Sequence, residues 1–225
     1  MPCHALQAVV FDLDGTLVDS LRDLAEATNA SLQAAGHPPR PLEEYPLMVG
    51  NGARKLMERA LGPSANPERT KRLLEGFLER YDRDCLRYSR PYAGMPEAVA
   101  KLKRQGCRLF VVTNKPDAQA RKIMKALYGE GLFERVCGQT GRFPVKPDPS
   151  LTLSLLEEAG LSSDQAAFVG DSGVDMETAH NAGMRAVGVL WGFRGEAELS
   201  DAGADCLAAS PEELPTLLLS GGLQH

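Results

Sequence analysis

Asp12 and Asp14 stand one residue apart, behind the apolar run Val9-Val10-Phe11 and just ahead of Gly15. A β-branched and aromatic run that ends in acid and glycine reads as a strand whose C-terminal tip carries charge. Two carboxylates this close repel each other unless a cation or a proton relieves them. Open parallel sheets bind ligands in the crevice beyond the carboxyl ends of their strands. The pair therefore points to a divalent metal, to acid–base work, or to both.

Further polar groups follow other apolar runs: Thr113-Asn114-Lys115, then Lys146, then Gly170-Asp171-Ser172 with Asp175 close behind. Carboxylates gathered in a cleft need a hard cation, and Mg²⁺ takes oxygen ligands of this kind. A hydroxyl, a lysine and the backbone N–H groups of helix starts bind anions. Metal, anion donors and a free carboxylate together suit phosphoryl transfer. One aspartate can attack phosphorus and carry an aspartyl-phosphate, and the acid two residues on can serve first as general acid and then as base.

These residues share a crevice only if the strands that carry them are parallel neighbours. From Pro96 onward the chain alternates helix, glycine and apolar strand, with strands predicted at 108–113, 166–170 and 186–190 and a shorter one at 135–137. Near-continuous apolar strands between helices imply a doubly wound α/β fold, a parallel sheet covered on both faces. Between Ser20 and Ser89 the pattern is helical throughout, with runs at 21–35, 56–61 and 67–88, and no strand is expected there. The expected organisation is a core formed by residues 1–20 and 90–225, interrupted by an all-helical insert at 21–89. Arg90-Pro91-Tyr92 reads as an extended linker.

The whole chain sets outer limits. It has 225 residues and a net charge of −5, which offers no electrostatic footprint for nucleic acid. No apolar run approaches the length of a membrane span, and the first strand begins too early to leave room for a signal peptide. Cysteines 3, 85, 107, 137 and 206 are odd in number and include no CxxC pair, which fits reduced thiols in a cytoplasmic setting better than a disulfide framework. His4, His37, His180 and His225 form no metal-ligand spacing, and the tail from Leu219 to His225 reads as frayed.

Asp12-Leu13-Asp14-Gly15-Thr16-Leu17-Val18-Asp19-Ser20 resembles the first motif of the haloacid dehalogenase superfamily, and Val111-Val112-Thr113-Asn114 its second. Lys146-Pro147-Asp148-Pro149 resembles the third, and Gly170-Asp171-Ser172-Gly173-Val174-Asp175 the fourth. All four occur in the family's order, from residue 9 to about 190, and the helical insert is similar to the family's small helical cap. The resemblance implies a Rossmann-like core and a Mg²⁺-dependent reaction on a small phosphate ester. Asp12 would be the nucleophile, and Asp14 the acid–base whose carbonyl also helps hold the metal. Thr113 and Lys146 would bind the phosphoryl oxygens, Lys146 also restraining the charge of Asp12. Asp171 would be a metal ligand and Asp175 a ligand or a partner behind it. Asn114 and the backbone of Gly15 would touch the phosphoryl group or the loop around it.

Within the insert, Val49-Gly50-Asn51-Gly52-Ala53-Arg54-Lys55-Leu56 resembles the cap segment of phosphoglycolate phosphatases, and Arg90-Pro91-Tyr92 and Trp191-Gly192-Phe193-Arg194 are similar to that subgroup as well. There Gly50, Asn51 and Gly52 could present backbone N–H groups. Arg54 or Lys55 could meet a substrate carboxylate or form an ordinary solvated helix face. Other small esters (a sugar phosphate, a nucleotide, a pyrophosphate) and a phosphomutase of the β-phosphoglucomutase kind would use the same core. Metal-free dehalogenases of the superfamily lack the acid that Asp14 supplies. Receiver domains carry similar residues, but their phosphoaspartate lies on a later strand and they have no insert of roughly 70 residues. Plainer roles also exist: Thr113 or Asn114 could cap the next helix, and Asp175 could be an acid in a first helical turn.

Overall fold

The computed structural model describes residues 6–220. Cys3, His4 and His225, with the rest of the tail beyond Ser220, lie outside the described residues. In chain order the elements are β1 (Ala8–Phe11), β2 (Val18–Asp19), α1 (Leu21–Ala34), α2 (Tyr45–Met48), α3 (Ala53–Leu61), α4 (Pro67–Asp84), β3 (Arg90–Pro91), α5 (Met95–Arg104) and β4 (Arg108–Pro116). They continue with α6 (Asp117–Tyr128), β5 (Arg135–Gln139), α7 (Ser150–Glu158), β6 (Ala166–Gly170), α8 (Gly173–Asn181), β7 (Arg185–Val189), α9 (Glu196–Asp201), β8 (Cys206–Ala208) and α10 (Leu214–Leu219).

Six strands form one parallel sheet in the order β5-β4-β1-β6-β7-β8. The chain leaves β1 towards β4 and β5, then returns to β6 on the other side of β1. Strand order thus reverses beside the strand that carries Asp12, the position at which doubly wound sheets open a ligand crevice. Alternation along the strands divides the core in two. Val9, Phe11, Leu109 and Val111 face one layer with α5, α6, α10 and the helical segment, while Ala8, Val10, Phe110 and Val112 face the other with α7, α8 and α9. Both faces are covered, which is why these strands are apolar at every position.

Helices α1 to α4 follow one another between β2 and β3, with no strand among them. Their apolar faces meet through Leu32, Tyr45, Met57, Leu73, Phe77 and Tyr81, all buried. Arg90–Pro91, expected as a linker, instead pairs antiparallel with Val18–Asp19, so the two passages into and out of the helical segment run side by side. Buried Asp23 ties them together. Its carboxylate accepts from the N–H groups of Tyr88 and Ser89 and from Ser89 Oγ at 2.7 to 3.1 Å.

Several boundaries depart from the sequence pattern. α4 stops at Asp84 rather than Tyr88, because Asp23 draws the backbone of Tyr88 and Ser89 out of helical register. β4 runs on through Lys115 and Pro116, and α6 begins at Asp117 with Pro116 at its N-cap and no side-chain cap. Neither Thr113 nor Asn114 caps that helix. α9, β8 and α10 were not anticipated; they are three to six residues long, too short to show a period.

Candidate active site

Three strand tips, those of β1, β4 and β6, and the loop that follows β5 deliver the polar residues to one edge of the sheet. Asp12 follows β1, and its N–H continues the ladder by donating to the Val169 carbonyl at 2.9 Å. Asp171 follows β6, and Asp175 lies in the first turn of α8. One oxygen from each of Asp12, Asp171 and Asp175 falls within a 4.8 Å cluster, and all three residues are buried. Burial, opposed by Lys146 and reinforced by Asp175 and Asp14, pushes the Asp12 carboxyl up to about 6. Burial, with Asp175 and Asp12 beside it, holds the Asp171 carboxyl well above the ordinary range. Three buried acids crowded together call for positive charge.

Lys146 supplies part of it. Its ammonium lies 2.8 Å from Asp12 Oδ1 and donates to Asp175 Oδ1 at 2.6 Å. Burial works against the charge, but the carboxylates of Asp12 and Asp175 outweigh it and raise the lysine above its usual value. The other Asp175 oxygen accepts from Ser172 N–H and Oγ. Both Asp175 oxygens are thus engaged, which makes it the residue that holds Lys146 and the turn into α8. Asp171 Oδ2 accepts from the Phe193 N–H at 2.7 Å. The donor set is all oxygen and carries more negative charge than Lys146 cancels, so it fits a hard divalent cation.

Close approach explains two glycines. Gly15 has φ +86°, and a Cβ on it would lie 2.2 Å from Asp171 Oδ2. A Cβ on Gly192 would lie 2.2 Å from Asp171 Cβ and 2.5 Å from the Gly15 carbonyl. The residues around Gly192 also brace the site, since Trp191 Nε1 donates to the Thr16 carbonyl at 3.0 Å.

Thr113 is buried at the end of the apolar stretch of β4 and lines the cleft. Asn114 lines the cleft and holds the loop around Lys146. It accepts from Lys146 N–H at 2.7 Å and donates to the carbonyls of Lys146 and Gly50. Asp14 is not free either. Its carboxylate accepts from Ser20 Oγ and from Lys115 Nζ, the latter at 2.7 and 2.8 Å.

Helices α1, α3 and α4 close the cleft with Leu24, Leu56, Phe77 and Tyr81. Gly50 and Gly52 line it, but Asn51 is held by Arg59, whose Nη2 donates to Asn51 Oδ1 at 2.8 Å. Arg54 does not reach it. The apolar residues of α3 face inward, and the Arg54 side chain is about three-fifths exposed and paired with Glu58. Lys55 is likewise exposed and paired with Glu58. The sequence pattern gave no site role to Tyr81 or Arg59, and it marked Lys115 and Arg194 only as part of the runs 113–115 and 191–194. Arg194 Nη2 donates to the Val49 carbonyl across the cleft mouth.

Residues 9–189 match the model of the haloacid dehalogenase-like hydrolases. A phosphoglycolate phosphatase of Mannheimia succiniciproducens is 38% identical over 87% of this chain and 90% of its own. An N-acetylmuramic acid 6-phosphate phosphatase of Pseudomonas aeruginosa is 35% identical over 95% of both chains. A solved structure from Lactobacillus delbrueckii subsp. bulgaricus superposes with a TM-score of 0.91 at 27% identity, covering 96% of this chain and 99% of that one. Four ordered motifs, a sheet that reverses beside Asp12 and relatives of this similarity agree: the chain belongs to the haloacid dehalogenase-like hydrolases and is a phosphoric monoester hydrolase.

Proposed function

We propose that this phosphatase hydrolyses 2-phosphoglycolate in a reducing, cytoplasmic setting, using Mg²⁺ and an aspartyl-phosphate on Asp12. The observation that carries the reading is the buried cluster of Asp12, Asp171 and Asp175 around one lysine. Asp12, Asp171 and the Asp14 carbonyl would hold Mg²⁺, with Asp175 steadying Lys146 behind them. When bound, the metal would supply charge neutralisation for the phosphoryl oxygens and for the two acids.

Asp12 would form a bond to phosphorus while the ester oxygen leaves. Asp14 would give that oxygen its proton and then take one from the water that cleaves the phosphorus–oxygen bond to Asp12. Lys146 and Thr113 would hold the phosphoryl oxygens, and Asn114 would keep Lys146 in place. Residues 21–89 would act as a cap on the core of 1–20 and 90–225. The paired strands β2 and β3 would be its hinge, closing to exclude water.

Two relatives support different leaving groups, and the second reading is N-acetylmuramic acid 6-phosphate. Phosphate release from both esters and from a set of sugar phosphates, with and without Mg²⁺, separates them. Selective, Mg²⁺-dependent turnover of 2-phosphoglycolate is expected. Preference for the amino-sugar ester would favour the second reading, and isomerised sugar phosphate would point to a mutase.

A further inference from the structure

Lys115 is a buried ammonium that the chemistry above does not use. It is the one cation among the described residues that line the cleft beneath the helical segment. Around it the wall is apolar, made of Leu24, Val49, Leu56 and Phe77. Its ammonium makes two short bonds to Asp14 and lies 4.7 Å from the centre of the Tyr81 ring. Tyr81 lines the same cleft, fully buried, and its hydroxyl has no hydrogen-bond partner among the described residues.

Each feature has a cost that an anionic ligand would relieve. A hydroxyl buried without an acceptor loses its hydration with nothing in return. A carboxylate whose two oxygens both accept from one ammonium is poorly placed to hand a proton to a leaving oxygen. A substrate anion on the leaving-group side would offer the ammonium a second acceptor, and the Tyr81 hydroxyl a first one.

We infer that Lys115, with Tyr81, selects phosphate monoesters that carry a second anionic group on the leaving-group side, and that this anion frees Asp14 by drawing Lys115 away from it. The inference rests on the phosphatase reading but not on the identity of the ester. A carboxylate one carbon from the ester oxygen meets the requirement, and a methyl group in its place does not. The ion pair therefore acts as a substrate check, because an ester without the anion leaves Asp14 tied to Lys115.

The test uses 2-phosphoglycolate and ethyl phosphate, which differ in carboxylate against methyl. A second pair, N-acetylmuramic acid 6-phosphate and N-acetylglucosamine 6-phosphate, differs in a carboxylate-bearing ether. kcat and KM are measured for each ester with the wild-type protein, Lys115→Met and Tyr81→Phe, whose folding is checked by thermal melts. The wild-type protein should favour the anionic member of a pair in kcat as well as KM. Lys115→Met should shrink that preference by about 10- to 100-fold, the worth of a charge-assisted hydrogen bond, and erase its kcat component. Tyr81→Phe keeps the ring and should shrink it by about 10-fold, because the bond it loses is to a charged acceptor. A fall on both members alike in Lys115→Met, or no wild-type preference in either pair, would overturn the inference. Preference confined to the amino-sugar pair, abolished by Lys115→Met, would retain it and reject 2-phosphoglycolate. If Lys115→Met does not fold, Tyr81→Phe decides: an unchanged preference there counts against the inference.

Discussion

Asn114 grips Lys146 by its backbone from both sides, accepting from its N–H at 2.7 Å and donating to its carbonyl at 3.2 Å. The same amide donates to the Gly50 carbonyl in the helical segment. One side chain thus sets the loop that aims the lysine and reports the position of the segment above it. Asn114→Ala should lower kcat/KM by about 10- to 100-fold, as loss of an orienting partner commonly does. Steady-state kinetics on the preferred ester checks this. An unchanged kcat/KM would mean that Lys146 is aimed without Asn114.

The strained acids give a sign for pH. Without metal, the folded Asp12 carboxyl is raised from 3.8 to about 6 by burial, with Lys146 opposing. The folded state therefore holds a proton that the unfolded chain has already released. The resulting stability is full below about pH 4 and is lost as pH rises through about 6. Asp12→Asn should remove most of that slope and stabilise the metal-free protein at neutral pH by up to about 3 kcal/mol. Burial raises Asp171 in the same direction, so part of the slope should remain. Urea unfolding in chelator at several pH values checks this, and added Mg²⁺ should restore stability to the wild-type protein by binding the folded state.

Asp23 carries no chemistry in this account, yet its carboxylate accepts from three donors, the Tyr88 N–H shared between both oxygens and the Ser89 N–H and Oγ. Asp23→Ala leaves those buried donors unpaired and should cost about 2 to 4 kcal/mol. Denaturant unfolding checks the value. A loss below about 0.5 kcal/mol, within the range of ordinary surface changes, would show that the β2 and β3 passages hold together without it.

Gly15→Ala should be tolerated by the fold less well than its small size suggests. The added methyl would meet Asp171 Oδ2, and φ +86° is strained for any side chain. Asp171 would have to move, so Mg²⁺ should bind at least about 10-fold more weakly, the scale seen when a ligand's orientation is lost. Titration of Mg²⁺ by calorimetry measures it directly.

The strands and the acids were legible because each signal is local. Val9-Val10-Phe11 and Ala166-Ala167-Phe168-Val169 are apolar at every position, and the polar residue that ends each run marks its tip. The edge elements α9, β8 and α10 are too short for a period to emerge. Partnerships were less legible. Lys115 stands in a polar run at a strand tip, but its pairing with an acid 101 positions earlier is visible only in three dimensions. Arg54 was a plausible anion contact by type, but its exposed side chain pairs with Glu58 instead of lining the cleft. Asp175 shows how far residue type reaches: the acid is evident, but its engagement by Lys146 and Ser172 is visible only in three dimensions.

The central claim is that Asp12 forms the covalent intermediate. Rapid borohydride quenching during turnover reduces an acyl-phosphate to an alcohol, and peptide mass spectrometry locates the change. The account predicts homoserine at position 12, dependent on substrate and Mg²⁺ and absent without ester. Reduction at any other aspartate, or Asp12→Asn that still turns over the substrate, would contradict it.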